Sequence, residues 1–138
     1  MSTPEQASRN ADIVVTASRS VEPLFRGEWL KQGAFVAAIG SSLPHTRELD
    51  DAALARAKAV VVEWRMQSMR EAGDIVRADP ALLPPEKIFE LGDAVTGSVQ
   101  PRQSADDILV YKAVGVGLQD VALAALAYRR IAAGGGAG

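Results

Sequence analysis

Cysteine is absent from this 138-residue chain, and histidine occurs only once, at position 45. The missing cysteines exclude disulfides, thiolate nucleophiles and cysteine-ligated metals. A single histidine cannot build a multi-histidine centre, so the sequence predicts no metal site. Neither sign of charge dominates, because 15 basic residues stand against 17 acidic ones. We therefore expect no nucleic-acid partner, which would call for a strongly basic surface.

Long apolar runs are also missing, and none approaches the roughly 20 residues that a membrane-spanning helix needs. Residues 1–12 lack the apolar segment of a secretory signal, so we expect a cytoplasmic protein with no membrane partner. What is present is ordinary for a globular protein: 48% apolar and 23% charged residues. We predict one folded unit over 1–131 and a flexible glycine-rich tail over 132–138.

Apolar segments alternate with helix-forming segments along the chain. Continuous apolar runs predict four strands, at 12–18, 34–40, 59–64 and 107–115, the first of them buried on both faces. Helical patterns and end signals predict helices at 4–10, within 22–33, and at 47–59, 67–78, 83–97 and 118–133. This alternation is typical of an α/β protein with a parallel sheet.

The last predicted helix, 118–133, reads LQDVALAALAYRRIAA and is apolar on nearly every face. A helix of this kind needs partners on more than one side. We expect it either to lie deep within the domain or to pack against another chain or another domain.

Polar, kinked loops follow two of the predicted strands. Residues 36–50 read VAAIGSSLPHTRELD, in which an apolar run ends at Gly40. Ligands of open α/β sheets bind at the carboxyl ends of strands, where Ser41 and Ser42 could donate hydrogen bonds. Neither serine has the glycines of a nucleophile elbow, so we predict no catalytic serine relay. The segment TASRS (16–20) ends its strand similarly, and its hydroxyls are compatible with ligand contacts or with turn capping.

Two ionisable residues have more than one interpretation. We expect His45 to be exposed or hydrogen-bonded structurally, because a role in proton transfer would require a carboxylate such as Glu48 or Asp50 beside it. Lys112 lies within the apolar run ILVYKAV. It is either an edge-strand lysine that reaches water or a buried functional charge, and we favour the edge position.

The segment GVGLQD (115–120) has the strand–glycine–helix context of a dinucleotide-binding fingerprint. The fingerprint also needs a third glycine or alanine, where this chain has Asp120, and a further strand after the helix. We therefore predict a plain strand-to-helix turn here rather than a phosphate-binding loop.

Three segments together resemble one family. They are ADIVVTASRSVEPLFRGEWLKQGAFVAAIGSSLPHTRELDD (11–51), REAGDI (70–75) and RQSADDILVYKAVGVGLQDVALAALAY (102–128). They are similar to the ornithine cyclodeaminase/mu-crystallin family, and the resemblance covers nearly the whole chain apart from its glycine tail. The spacing from DIVVT through EP and GEW to RELD is its most specific part.

The resemblance implies an NAD(P)-binding Rossmann domain joined to a substrate-binding and dimerisation domain. Family members are longer, so residues 1–131 would form the later half of that Rossmann domain, with a C-terminal helix that packs on the dimerisation domain. Members reduce cyclic imino acids or ketimines, cyclise ornithine to proline, or act as alanine dehydrogenases. We expect a pyrroline-2-carboxylate or ketimine reductase that uses NADPH or NADH on a small imino or amino acid.

The resemblance also implies a homodimer, or an association through helix 118–133. The glycine-rich phosphate loop and the substrate-carboxylate residues of the family would precede this chain. We therefore expect the chain to be a C-terminal fragment that is inactive by itself.

Five positions would contact the dinucleotide by resemblance. Ser18 and Arg19 correspond to the contacts after the fourth strand of the family's Rossmann domain, and Ile39 and Gly40 to the strand end near the nicotinamide. Ala113 replaces the serine of the family's K-S-V-G turn, which removes one polar contact near the cofactor.

Ser42 is the one candidate catalytic position. It stands where the cyclodeaminases of the family carry a catalytic aspartate, an acid that mu-crystallin-type members also lack. The resemblance therefore argues against ornithine cyclodeamination and leaves imine reduction open, because hydride transfer can take its proton from elsewhere. The alternative is a non-enzymatic chain that oligomerises or binds a ligand as mu-crystallin does.

Overall fold

The computed structural model describes residues 3–133 as an α/β fold built around one sheet. The strands are β1 (Ile13–Thr16), β2 (Phe35–Ala38), β3 (Ala59–Val62), β4 (Ile88–Glu90) and β5 (Leu109–Lys112). All neighbouring strands run parallel, in the order β1-β2-β5-β3-β4. The predicted parallel α/β architecture is confirmed, and the last strand in the sequence occupies the centre of the sheet.

Helices and short turns connect the strands. The helices are α1 (Pro4–Ser8), α2 (Asp51–Arg56), α3 (Arg65–Glu71), α4 (Gly73–Val76), α5 (Leu91–Thr96) and α6 (Gly117–Ala132). Short 3₁₀ turns lie at Gly27–Trp29, Pro80–Leu82 and Pro85–Lys87. The start of α1 has a capping box, in which Thr3 Oγ1 accepts from the Gln6 N–H at 3.2 Å and Gln6 Oε1 accepts from the Thr3 N–H at 3.0 Å.

The helix predicted at 83–97 is wrong over its first half. Ile88–Glu90 forms β4 instead, because it pairs with Val60–Val62 of the buried strand β3. Only α5 is helical in this region, and it ends at Gly97, whose φ of +77° is the left-handed conformation of a helix C-terminus. The helix predicted within 22–33 is reduced to a single 3₁₀ turn.

Two further helices are shorter than predicted. The helix predicted at 47–59 begins four residues later, as α2, because Asp50 Oδ1 accepts from the Ala53 N–H at 2.8 Å and so fixes the start of α2. The helix predicted at 67–78 is interrupted at Ala72, whose ψ of 101° separates α3 from α4. The first difference leaves residues 47–50 in the loop that follows β2.

The core centres on the three middle strands. Val36, Val60, Val62 and Val110 have no exposed surface. The edge strand β1 differs, because Ile13 and Val15 are 64% and 61% exposed. The prediction that this strand is buried on both faces is therefore wrong for the described residues, which leave one of its faces largely uncovered.

Within the described part of the chain, residues 3–133, the C-terminal helix α6 contributes no buried residue. Its large apolar side chains, such as Leu118, Val121 and Ile131, are exposed. Of the two predicted placements, burial within the domain is therefore wrong, and packing against another chain or domain stays a prediction.

No helix among residues 3–133 is long and apolar enough to cross a membrane. Most of the predicted flexible tail, 134–138, lies outside the described residues.

Candidate functional site

An open depression of about 320 Å³ lies at the carboxyl ends of β1 and β2. Its lining residues are Ala17, Ser18, Arg19, Ile39 and Gly40, and we call it the rim pocket. The segments that follow β1 and β2 emerge side by side because the two strands are parallel neighbours in the sheet. The structure thus brings four of the five predicted cofactor-binding residues onto one surface, and their role stays a prediction.

Glu48 is the buried centre that holds the two strand ends together. Its Oε2 accepts from Thr16 Oγ1 at 2.9 Å, from the Gly40 N–H at 2.9 Å and from the Ser41 N–H at 3.2 Å. Its Oε1 accepts from the Ser18 N–H at 2.5 Å. A carboxylate with several N–H and O–H donors fixes the chain segments that carry them. Glu48 therefore fixes the positions of the two segments, 17–19 and 39–40, that line the rim pocket.

Glu48 stays ionised at neutral pH despite its burial. Burial alone would raise the pKa of its carboxyl, but the hydrogen bonds from Ser18, Thr16 and Gly40 outweigh that effect and hold the pKa below its usual value.

His45, the only histidine of the chain, is exposed. Because the Glu48 carboxylate is directed at the strand ends, the predicted alternative of a His45–Glu48 proton relay is not formed.

Lys112 does not lie on an edge strand, and the favoured interpretation of this residue is wrong. It stands on the central strand β5 with its side chain 1% exposed. Its Nζ donates to the Ala38 carbonyl at 3.0 Å and forms an ion pair with Asp74 Oδ2 at 3.2 Å. Burial lowers the pKa of Lys112, and the Asp74 carboxylate opposes this shift without cancelling it.

Asp74 joins this lysine to the loop that carries Glu48. It is completely buried at the start of α4, and its Oδ1 accepts from the backbone N–H groups of Glu48 at 2.6 Å and Leu49 at 2.8 Å. Lys112, Asp74 and Glu48 are thus linked in one buried network, in which Asp74 contacts the side chain of Lys112 and the backbone of Glu48.

The two serines of this loop have different surroundings. Ser41 is buried, and its Oγ donates to the Thr46 carbonyl at 3.0 Å and accepts from Thr46 Oγ1 at 3.1 Å. Those contacts commit the Ser41 hydroxyl to the loop itself. Ser42 is half-buried, and its N–H donates to the Gly40 carbonyl at 3.0 Å. The structure places Ser42 two residues beyond the wall of the rim pocket and not among its lining residues.

Ala113, the fifth predicted cofactor-binding residue, also lies outside the lining. Its N–H donates to the Ala38 carbonyl at 3.1 Å, which sets it beside the end of β2. The turn that follows it is held by Glu63, whose Oε2 accepts from the N–H groups of Val114 at 2.8 Å and Gly115 at 2.7 Å. Because a side-chain carboxylate already binds these N–H groups, they are not available to a phosphate. The predicted strand-to-helix turn is confirmed.

Sequence reasoning did not identify Glu48, Glu63 and Asp74 as acceptors for strand ends. A partial signal was present, because Glu48 and Asp74 belong to the segments RELD and REAGDI that carry the resemblance. Glu63 directly follows the buried run AVVV. A buried carboxylate needs hydrogen-bond donors, whether it directly follows a buried strand or lies among buried residues. In a parallel sheet, the backbone N–H groups at the ends of neighbouring strands can supply them.

An all-parallel sheet with a pocket at the carboxyl ends of its strands defines a Rossmann-like domain, a fold that this chain shares with solved dehydrogenase structures. The chain belongs to the ornithine cyclodeaminase/mu-crystallin family, whose sequence model matches residues 1–135. Among curated relatives, the Δ1-pyrroline-2-carboxylate reductase of Bacillus cereus is 36% identical over 129 residues, which are 92% of this chain and 39% of the relative. The mouse ketimine reductase mu-crystallin is 35% identical over 128 residues, or 92% and 38% of the two chains.

Two solved structures have the same fold over nearly all of this chain. A probable ornithine cyclodeaminase from Bordetella pertussis is 60% identical, with a TM-score of 0.91 over 96% of this chain and 43% of its own. The Δ1-pyrroline-2-carboxylate reductase of Thermococcus litoralis, solved in complex with NADH and L-proline, is 27% identical, with a TM-score of 0.88 over 98% and 42%. This chain therefore spans about two fifths of the length of its relatives.

Proposed function

We propose that this chain supplies the nicotinamide and substrate side of an NAD(P)-dependent reductase of cyclic imino acids, of the pyrroline-2-carboxylate or ketimine reductase kind. The observation that carries the proposal is the rim pocket, an open surface at the carboxyl ends of two parallel strands. Ligands of open α/β sheets bind at this position. The relatives named as reductases, and the NADH and L-proline in the Thermococcus litoralis structure, support the same assignment.

The residues of the rim pocket fit a nicotinamide and its ribose. Gly40 presents backbone with no side chain, and Ile39 adds an apolar surface that is 46% exposed. Ser18 Oγ accepts from the Ser20 N–H at 3.1 Å and directs its hydroxyl proton to the Glu48 carboxylate, so its remaining lone pair can accept from a ribose hydroxyl or a carboxamide N–H. The exposed Arg19 guanidinium suits a phosphate or a substrate carboxylate. When bound, the dinucleotide supplies the hydride.

Ser42 favours imine reduction over ornithine cyclodeamination. A serine hydroxyl is a far weaker base at neutral pH than the aspartate that the cyclodeaminases of the family carry at this place. Reduction of an imine needs no carboxylate there, because the proton can come from another group or from water. The Ser42 hydroxyl, half-buried near Gly40, could orient the substrate or that water.

We further propose that the chain does not turn over by itself. It spans about two fifths of the length of its relatives. A pyrophosphate is normally held by backbone N–H groups at a glycine-rich turn before a helix. At the Gly-x-Gly turn at 115–117, the Glu63 carboxylate already accepts from the N–H groups of Gly115 and of the preceding Val114, and its negative charge opposes the binding of a pyrophosphate there.

Nicotinamide mononucleotide tests the proposal because it contains only the half of the dinucleotide that the rim pocket would hold. We would titrate the chain with this compound and, separately, with adenosine monophosphate, and follow backbone amide resonances by NMR. We expect saturable shifts at Ser18 and Gly40 with the nicotinamide compound and none with the adenine compound. No shift at millimolar ligand, or an equal response to both, would overturn the proposal.

Two arginine variants complete the test. Arg19→Ala should weaken the response, whereas Arg26→Ala should not, because Arg26 is an exposed arginine paired with Glu28 outside the rim pocket. In parallel, the chain would be mixed with NADH and Δ1-pyrroline-2-carboxylate. Oxidation of NADH would contradict the proposed lack of turnover.

The exposed apolar face of α6 favours a second candidate function, in which the chain associates through this helix without catalysis. Leu118, Val121, Leu123, Leu126 and Ile131 are all exposed on it. This alternative predicts oligomers and no response to the nicotinamide compound. A mu-crystallin-like ligand-binding protein would instead bind the nicotinamide compound and show no turnover.

A further inference from the structure

The loop that carries Ile39, Gly40 and Ser42 leaves the sheet after Ala38 and rejoins the fold at Leu49. We call residues 39–49 the rim loop. Its two ends are held by two different buried charges. Lys112 Nζ donates to the Ala38 carbonyl at 3.0 Å, at the beginning of the loop, and Asp74 Oδ1 accepts from the Leu49 N–H at 2.8 Å, at its end.

The two charges are themselves in contact, because Lys112 Nζ lies 3.2 Å from Asp74 Oδ2. The pair therefore bridges the beginning and the end of the rim loop through the interior of the protein. From the end of the loop, the Glu48 side chain returns to the beginning and accepts from the Gly40 and Ser41 N–H groups. Two buried connections thus join the beginning and the end of the rim loop. One is the Lys112–Asp74 pair, and the other is the Glu48 carboxylate.

A purely stabilising role does not account for this arrangement. Burying an ammonium and a carboxylate carries a desolvation cost that their mutual attraction rarely exceeds, and apolar residues of similar size often stabilise a protein as well or better. The pair stands on the central strand β5 and at the start of α4, where the nearby residues Ala72, Ile75 and Val110 are apolar and buried. What apolar side chains cannot do is donate to the Ala38 carbonyl, which among residues 3–133 otherwise accepts only from the Ala113 N–H, or accept from the two N–H groups of the rim loop.

We propose that Lys112 and Asp74 are positioning residues, which fix both ends of the rim loop and thereby set the place of Ile39 and Gly40 in the rim pocket. Neither side chain touches a ligand of that pocket, since both are at most 1% exposed. Their action on ligand binding rests on the proposed function, whereas the coupling of the rim loop to the buried pair does not.

Backbone amide hydrogen exchange of the whole chain, measured by NMR, tests this coupling. The first variant is the double change Lys112→Met with Asp74→Asn, which leaves no unpaired buried charge and keeps an oxygen for the Glu48 and Leu49 N–H groups. We expect exchange at Ser18, Gly40 and Ser41 to become about tenfold faster or more, because local openings of the rim loop become easier. Exchange in the central strands, at Val60 and Val110, should stay near the wild-type rate.

Lys87→Met is the matched control. Lys87 Nζ also donates to backbone carbonyls, those of Leu54 at 2.7 Å and Ala55 at 3.1 Å, but these precede β3 at the opposite end of the sheet. This variant should leave exchange at Gly40 and Ser41 unchanged. If the double variant leaves the rim amides as slow as in the wild type, or speeds the rim and the central strands by the same factor, the proposal is wrong.

Asp74→Asn alone serves as a second variant in case the double variant does not fold. Burial already lowers the pKa of Lys112, and removal of the Asp74 charge should lower this pKa further, because that charge opposes the shift. The same faster exchange, confined to the rim amides, is expected. Titration with nicotinamide mononucleotide separates the two proposals: a wild-type chain that does not respond overturns the proposed function, while the exchange rates still decide the role of the buried pair.

Discussion

Gly40 places its α-carbon directly against the backbone of Ser18. A β-carbon on Gly40 would lie 2.2 Å from both Ser18 N and Ser18 O, and 2.4 Å from Glu48 Oε1. No side chain fits at these distances, so glycine at position 40 is what allows the ends of β1 and β2 to approach and form the rim pocket.

Gly40→Ala should therefore destabilise the chain strongly, by about 2–4 kcal/mol in urea unfolding, because backbone atoms on both sides must move. Gly92→Ala is the matched control, since a β-carbon at this helical position meets nothing within 4 Å. That change should stabilise the chain by about 0.5–1 kcal/mol, through the better helix propensity of alanine. Similar effects for the two variants would contradict the close approach of Gly40 and Ser18.

Glu48→Gln tests the buried acceptor of the rim pocket. The substituted amide group would direct an NH₂ at N–H and O–H donors and lose the charge, so we expect the free energy of unfolding to fall by about 3 kcal/mol. Glu28→Gln provides the control, because Glu28 is a 62% exposed partner of Arg26 and such pairs contribute about 0–1 kcal/mol. Urea unfolding of both variants gives the comparison, and equal losses would refute the role assigned to Glu48.

The contribution of Glu48 should also depend on pH in a defined direction. Its pKa is lowered in the folded state from the ordinary value of 4.5, because its hydrogen bonds outweigh burial. The folded state then binds fewer protons than the unfolded state, so the stabilisation is complete above pH 4.5 and declines as the pH falls through the folded-state pKa. The stability difference between the wild type and Glu48→Gln should accordingly shrink in urea titrations from about pH 6 to about pH 3. A difference that grows on acidification would reverse the assigned sign.

Association through α6 is tested by replacing exposed apolar side chains on that helix. If the isolated chain forms oligomers by light scattering, the double change Leu118→Gln with Leu126→Gln should return it to a monomer, because the apolar surface that association would bury is reduced. Val76→Thr is the control, since Val76 is likewise exposed, at 44%, but lies on α4. Oligomers that persist in the double variant would locate the contact elsewhere.

Much of the fold follows from local sequence patterns. The runs DIVVTAS, AFVAAIG, AVVVEW and DILVYKAVG each contain a strand, because continuous apolar residues with β-branched members favour buried parallel strands. The family resemblance, rather than a local pattern, predicts that the loops after the first two runs belong to one site, and the structure brings them together in the rim pocket. The short strand β4 was missed because Ile88–Glu90 carries no period of its own and becomes a strand only by pairing with β3.

The sequence by itself thus determined the parallel α/β architecture, the family, and the two loops that form the rim pocket. Tertiary structure alone decided that Lys112 is buried and that Glu48, Asp74 and Glu63 are the acceptors that hold the strand ends. The physical reason is the strand order, in which β5 is inserted between β2 and β3. That insertion brings Lys112 to the Ala38 carbonyl across 74 residues of sequence. Whether a charged side chain in an apolar run lies at an edge or at the centre depends on such long-range pairing, which local patterns do not encode.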